Sequence, residues 1–124
     1  MTGYEVKIAE TNMELSARAK IKFKDTSDAV KLDEATKDGA LVIKPIGFVV
    51  LDIHNEKSDN VDYKNYMVID AEGNKYVTGS ESFWTTFIDI FTDMDGEENG
   101  WELKIYRLDS KNYKGKQFLT CSII

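Results

Sequence analysis

The chain has 124 residues, 42% of them hydrophobic and 31% charged, with a formal net charge of -6. That length and composition make one ordinary globular domain with a real core, and exclude a multidomain, low-complexity or repeat architecture. The negative balance, taken alone, argues against a dedicated polyanion binder, because global repulsion slows encounter with phosphate backbones.

A single cysteine, Cys121, cannot close an intramolecular disulfide and points to a reducing, cytoplasmic setting. The first residues, Met-Thr-Gly-Tyr-Glu-Val-Lys, lack a basic flank followed by an apolar run, and no window approaches a membrane span. Charge is unevenly distributed. Acids gather in expected loops, such as Asp33, Glu34 and Asp38, or Asp93, Asp95, Glu97 and Glu98, whereas bases gather at Lys20, Lys22 and Lys24 and at Lys104, Arg107, Lys111, Lys114 and Lys116. A cationic face on an acidic protein is therefore available.

Residues 1–15 carry no clear period and read as an arm or an edge strand. From Ala17 to Lys24 apolar residues (Ala17, Ala19, Ile21, Phe23) alternate with bases (Arg18, Lys20, Lys22, Lys24), the pattern of a strand with one wet, basic face. Residues 25–39 are polar and close on Asp38-Gly39, predicting a loop with at most one helical turn near residues 33–37. Residues 40–53 form the most apolar run, with Pro45 and Gly47 in its middle. Proline removes a ladder donor and glycine relaxes the backbone, so the run predicts a long strand bent or bulged there.

Residues 63–71 read as a strand with Tyr66, Val68 and Asp70 on one face and Met67, Ile69 and Ala71 on the other. Ala71-Glu-Gly-Asn74 is a tight turn into a short strand, 75–78. Residues 79–94 are the only segment with helical spacing. Phe83 or Trp84, Phe87, Ile88, Phe91 and Met94 fall on one stripe, with Ser80 or Ser82 as the N-cap. A loop follows at 95–100, then a strand at 101–108, a Lys/Asn/Gly-rich hairpin tip at 109–116, and an apolar strand from 117.

Strand, long bent strand, strand hairpin, helix, strand, strand is the order of the OB-fold, a five-stranded Greek-key barrel with one α-helix between its third and fourth strands. The fold expected is thus mainly β, a single OB-fold domain over 1–124; the alternative is an open α+β sheet with the helix on one face.

Catalytic constellations are thin. His54 is the only histidine and lies far from Cys121 in sequence, two such ligands cannot build a Cys/His zinc centre, and Lys114-Gly-Lys116 lacks the rest of a P-loop. The segment from Asp95 imitates the start of an EF-hand loop but carries Tyr106 where the bidentate Glu belongs. No enzyme activity, metal or cofactor is expected.

Binding has more to stand on, either of nucleic acid or, as the alternative, of a protein partner by an inhibitor or assembly factor that binds no nucleic acid and uses an exposed edge strand or the acidic loops. Single-stranded nucleic acid needs a cationic track and exposed rings on which bases stack. Lys20, Lys22 and Lys24, Lys104, Tyr106 and Arg107, and Lys111, Tyr113, Lys114 and Lys116 are the candidate contacts, with Tyr66 and Tyr76 on the other hairpin. The bland readings are a solvated basic strand face for the first three lysines, and a stabilising cross-strand pair for Tyr66 and Tyr76.

The run from Tyr66 to Trp84 (Tyr-Met-Val-Ile-Asp-Ala-Glu-Gly-Asn-Lys-Tyr-Val-Thr-Gly-Ser-Glu-Ser-Phe-Trp), the apolar helix after it, the segment from Trp101 to Ile124 with its Lys-Gly-Lys hairpin, and Lys20-Ile-Lys-Phe-Lys24 together resemble the small single-stranded DNA-binding proteins of phages infecting Gram-positive bacteria, especially lactococcal ones. The resemblance implies an OB-fold protein in the host cytoplasm that coats single strands in phage replication and recombination without strong sequence preference. It further implies a homodimer or higher oligomer and a host or phage recombinase as partner. The chain departs from bacterial relatives of that type in ending Phe-Leu-Thr-Cys-Ser-Ile-Ile rather than in an acidic tail, so recruitment through such a tail is not expected.

Overall fold

The computed structural model describes residues 3–57, 59, 61–94, 100–109 and 115–124. Its strands are β1 (Tyr4–Thr11), β2 (Val30–Lys31), β3 (Leu41–Ile43), β4 (Pro45–Asn55), β5 (Asp62–Asp70), β6 (Lys75–Thr78), β7 (Leu103–Asp109) and β8 (Gln117–Ile123). Its helices are α1 (Ala17–Lys24), α2 (Leu32–Ala35) and α3 (Glu81–Met94). The fold is mainly β, and no described helix is long and apolar enough to cross a membrane. One sheet runs β1-β4-β5-β6-β2, the other β3-β7-β8. All pairings are antiparallel except the short β2–β6 contact.

The bend expected at Pro45 is where the chain changes sheets. Leu41–Ile43 pairs with β7, while Pro45–Asn55 pairs with β1 and β5, with a register irregularity between Pro45 and Gly47. Glycine makes room there for the segment after β1 to cross closely: a Cβ on Gly47 would sit 2.5 Å from Met13 Sδ, so any larger residue must displace that side chain. Asn12 Oδ1 accepts the Phe48 N–H at 2.8 Å, and Thr11 Oγ1 donates to the Phe48 carbonyl at 2.7 Å, anchoring the end of β1 to the bend.

Two apolar clusters lie on opposite faces of β4 and β5. Phe48, Val50, Tyr66 and Val68 join α3 and the inward side chains of the second sheet, Ile43, Leu103, Ile105, Leu119 and Cys121. Val49, Leu51, Ile53, Met67 and Ile69 form the other cluster, closed by Val6, Ile8, Met13, Phe23 and Tyr63. The central strands are therefore apolar on both faces, which explains the unbroken Val/Ile/Met runs.

The α3 stripe packs as its spacing requires. Phe83 and Phe87 are fully buried, Trp84 stacks on Tyr66 with ring centroids 4.9 Å apart, and Phe48 meets Trp84 and Phe91 edge-on. The Ser80 hydroxyl accepts the Phe83 N–H at 3.3 Å as N-cap.

Residues 17–24 are a helix, not the expected strand. The Ser16 hydroxyl caps it by accepting the Ala19 N–H at 3.2 Å, Ala, Arg and Lys favour helix, and Lys22 and Lys24 sit in the last turn where the dipole prefers cations. None of its residues is fully buried, and Ile21 is 69% exposed, so the alternation reported no buried face. Only Phe23 reaches the core. The loop over 25–39 contains one short helix, α2, whose Leu32 is fully buried.

Candidate nucleic-acid interface

The outward face of the β3-β7-β8 sheet sets aromatic and apolar side chains beside a basic one. Alternation sends Leu103, Ile105, Leu119 and Cys121 inward, so Lys104, Tyr106 and Leu108 on β7 and Phe118, Thr120 and Ser122 on β8 share the opposite face. Cross-strand register sets Lys104 opposite Ser122 and Val42, Tyr106 opposite Thr120, and Leu108 opposite Phe118. Phe118 is 41% and Leu108 45% exposed. Tyr106 is half-buried, and Lys104 Nζ lies 5.2 Å from its ring centroid, a cation–π contact that leaves the ammonium over the platform. Tyr106 and Phe118 occupy diagonal positions, about 7–8 Å apart at the backbone by sheet geometry.

The other sequence candidates divide. Arg107 points to the opposite side of β7, where its Nε donates to Thr36 Oγ1 at 3.1 Å, so it braces α2. Lys116 is exposed beside the β7–β8 connection. Lys111, Tyr113 and Lys114, expected at the hairpin tip, lie outside the described residues. Lys20, Lys22 and Lys24 sit on α1 rather than on a strand face. At about 100° per residue Lys20 and Lys24 share one side while Lys22 points away, so they form no continuous basic row.

Tyr66 and Tyr76 are both buried. Tyr66 is covered by Trp84, and the Tyr76 hydroxyl donates to Asp70 Oδ2 at 2.8 Å, which leaves neither ring a face for a base. They are not a directly opposed pair: Tyr66 faces Thr78 and Tyr76 faces Val68. Asp70 organises the turn, accepting from the Glu72 and Asn74 N–H groups, the Asn74 side-chain amide and the Tyr76 hydroxyl. Burial pushes its carboxyl upward, but these four donors outweigh it and hold the pKa below the ordinary carboxylate value. Burial and the Asp70 bond push the Tyr76 hydroxyl up to about 12.

Cys121 and His54 do not meet. Cys121 is buried opposite Ile105 in the second sheet, and burial pushes its thiol up to about 12. His54, on the solvent side of β4, contacts Asp62 through Nδ1 at 2.7 Å and Glu56 through Nε2 at 3.6 Å. The Asp62 hydrogen bond raises its pKa, against a smaller opposing effect of desolvation.

Sequence reasoning missed Leu108, at the end of β7, and Phe118, although Leu119 and Cys121 alternate with Thr120 and Ser122. The signal was available in Cys121: pairing it inward with Ile105 turns Phe118 outward. Comparison with protein-family models, with characterised proteins and with solved structures returns no match.

Proposed function

We propose that this protein binds single-stranded DNA without strong sequence preference, through the outward face of the β3-β7-β8 sheet. The observation that carries the reading is the grouping of Tyr106, Phe118 and Leu108 on one exposed face with Lys104 over the Tyr106 ring. Rings serve every base as a stacking surface, and a nearby ammonium holds the phosphate backbone. Val42 extends the apolar strip beyond Lys104.

The architecture supports an open form of the OB-fold. The bent run through β3 and β4 pairs with β5, β5 pairs with β6, α3 follows β6, and β7 returns to the bent run with β8 outside it. A closed barrel would add a β6–β8 ladder, which is not present among the described residues. The resemblance to phage single-stranded DNA-binding proteins supports the wider setting: replication and recombination of phage DNA in the host cytoplasm, a homo-oligomeric protein, and a recombinase partner.

Fluorescence anisotropy with labelled thymidine oligonucleotides of increasing length, and a duplex of matched length, tests this. Single strands bind and the duplex binds weakly. Tyr106→Ala and Phe118→Ala each weaken binding by roughly 5- to 150-fold, the equivalent of about 1–3 kcal/mol for one stacked base. The salt dependence is shallow, with a log–log slope of about -1.4 for contacts by Lys104 and Lys116. Equal affinity for duplex and single strand, or indifference to both substitutions, overturns the proposal.

A further inference from the structure

Away from that face, a groove of about 650 Å³ runs between β1 and α1, lined by Lys7, Ile8, Ala9, Glu10, Thr11, Lys20 and Lys24. Five consecutive residues of β1 line it, so both side-chain parities contribute and the groove follows the strand's edge. β1 is the outermost strand of its sheet, pairing with β4 on one side and with no described strand on the other. An unpaired strand edge offers alternating N–H and C=O groups that complement another extended backbone. The opposite wall is α1, with Lys20 and Lys24 one turn apart. Among the described residues neither ammonium has an ion-pair partner.

We propose that this groove captures an extended acidic peptide, which adds as a strand to β1 and sets carboxylates at alternate positions against Lys20 and Lys24. The spacings agree. Lys20 and Lys24 lie four helical residues apart, a rise of about 6 Å, close to the about 6.8 Å between side chains i and i+2 of a strand. Lys7 adds a third ammonium, partly neutralised by Glu5 at 3.5 Å, while Glu10 disfavours a carboxylate at its own end and so helps fix the register. The irregularity between Ile8 and Glu10 divides the free edge into two short stretches, keeping the backbone ladder short and giving the lysines a larger share of the affinity.

Two other occupants fit less well. No aromatic ring lines the groove to stack a base, which disfavours an oligonucleotide. A second copy's β1 carries Glu5 and Lys7 at alternate positions and would set a lysine against Lys20 or Lys24.

The test uses a fluorescein-labelled peptide, Val-Glu-Val-Glu-Val-Thr, with two controls: the same composition with adjacent glutamates, and the same sequence N-methylated at alternate residues. The alternating peptide binds saturably, both controls bind about tenfold more weakly or worse, and Lys20→Glu with Lys24→Glu weakens binding at least about tenfold. The double variant keeps its urea midpoint and its affinity for oligonucleotides. Four results overturn the proposal: no saturable binding, equal binding of either control, loss of oligonucleotide affinity in the double variant with peptide displaced by thymidine oligonucleotide, or a concentration-dependent dimer that the peptide dissociates.

Discussion

The Asp70 turn decides whether Tyr76 is a structural residue or a nucleic-acid contact, and Asp70→Ala with Tyr76→Phe separates the two. The carboxylate accepts four hydrogen bonds of 2.8–3.1 Å. Glu72 and Asn74 are exposed, so their donors turn to water when the carboxylate is removed, at a cost of roughly 1 kcal/mol in all. The Tyr76 hydroxyl is buried and loses its partner outright, costing about 1–3 kcal/mol. Asp70→Ala therefore destabilises by about 3 kcal/mol, a fall in Tm of roughly 10 °C for a domain of this size. Tyr76→Phe costs about 1–2 kcal/mol, because Asp70 keeps three donors. In the Asp70→Ala background the same change is near neutral, giving a coupling of about 1–2 kcal/mol in the cycle.

Urea titrations of the four proteins give the numbers. Asp70 has a folded pKa below its ordinary 3.8, so its contribution is present above that value and disappears as pH falls through the folded pKa. The gap between wild type and Asp70→Ala is constant at neutral pH and closes in acid. Additive losses, or Tyr76→Phe that leaves stability intact while weakening oligonucleotide binding, would refute this account of the hairpin.

His54, the only imidazole, titrates by NMR with a midpoint above 6.5, and His54→Gln removes a stabilisation that is full below pH 6.5 and lost as pH rises through the folded pKa; a midpoint at or below 6.5 contradicts the Asp62 contact. Ile21→Glu changes stability by less than about 0.5 kcal/mol while Ser16→Ala costs about 1 kcal/mol, as measured by urea midpoints; the opposite ranking restores a strand at residues 17–24. Gly47→Val forces Met13 from its place and costs about 1–3 kcal/mol, and an unchanged melting temperature shows the crossing to be looser than described.

What could be read from the sequence was whatever burial had written into it. The stripe from Phe83 to Phe91 is legible because α3 buries one side and exposes the other. The turn after Asp70 is legible because Gly73 needs its φ of +86°, and the bend because Pro45 and Gly47 break a long apolar run. Residues 17–24 misled because α1 buries almost nothing, so a period-2 arrangement of small and basic residues survives there without consequence. Tyr66 and Tyr76 looked available because a strand between two cores carries no polar alternation to mark a buried ring. The proposed binding face was half legible: Lys104 and Tyr106 follow from β7, whereas setting Phe118 opposite Leu108 takes the pairing of β8.

The two clusters flanking β4 and β5 also differ in when a growing chain can complete them. One draws only on residues between Val6 and Ile69. The other spans Leu32 to Cys121 and cannot close until β7 and β8 have been made. During synthesis the first cluster can assemble while Phe48, Val50, Tyr66 and Val68 still face solvent on the other side of the same strands. Until α3 arrives, the half-made protein is a sheet with one finished face and one adhesive one. That interval exposes it to aggregation and to chaperones in a way the stability of the completed fold does not measure.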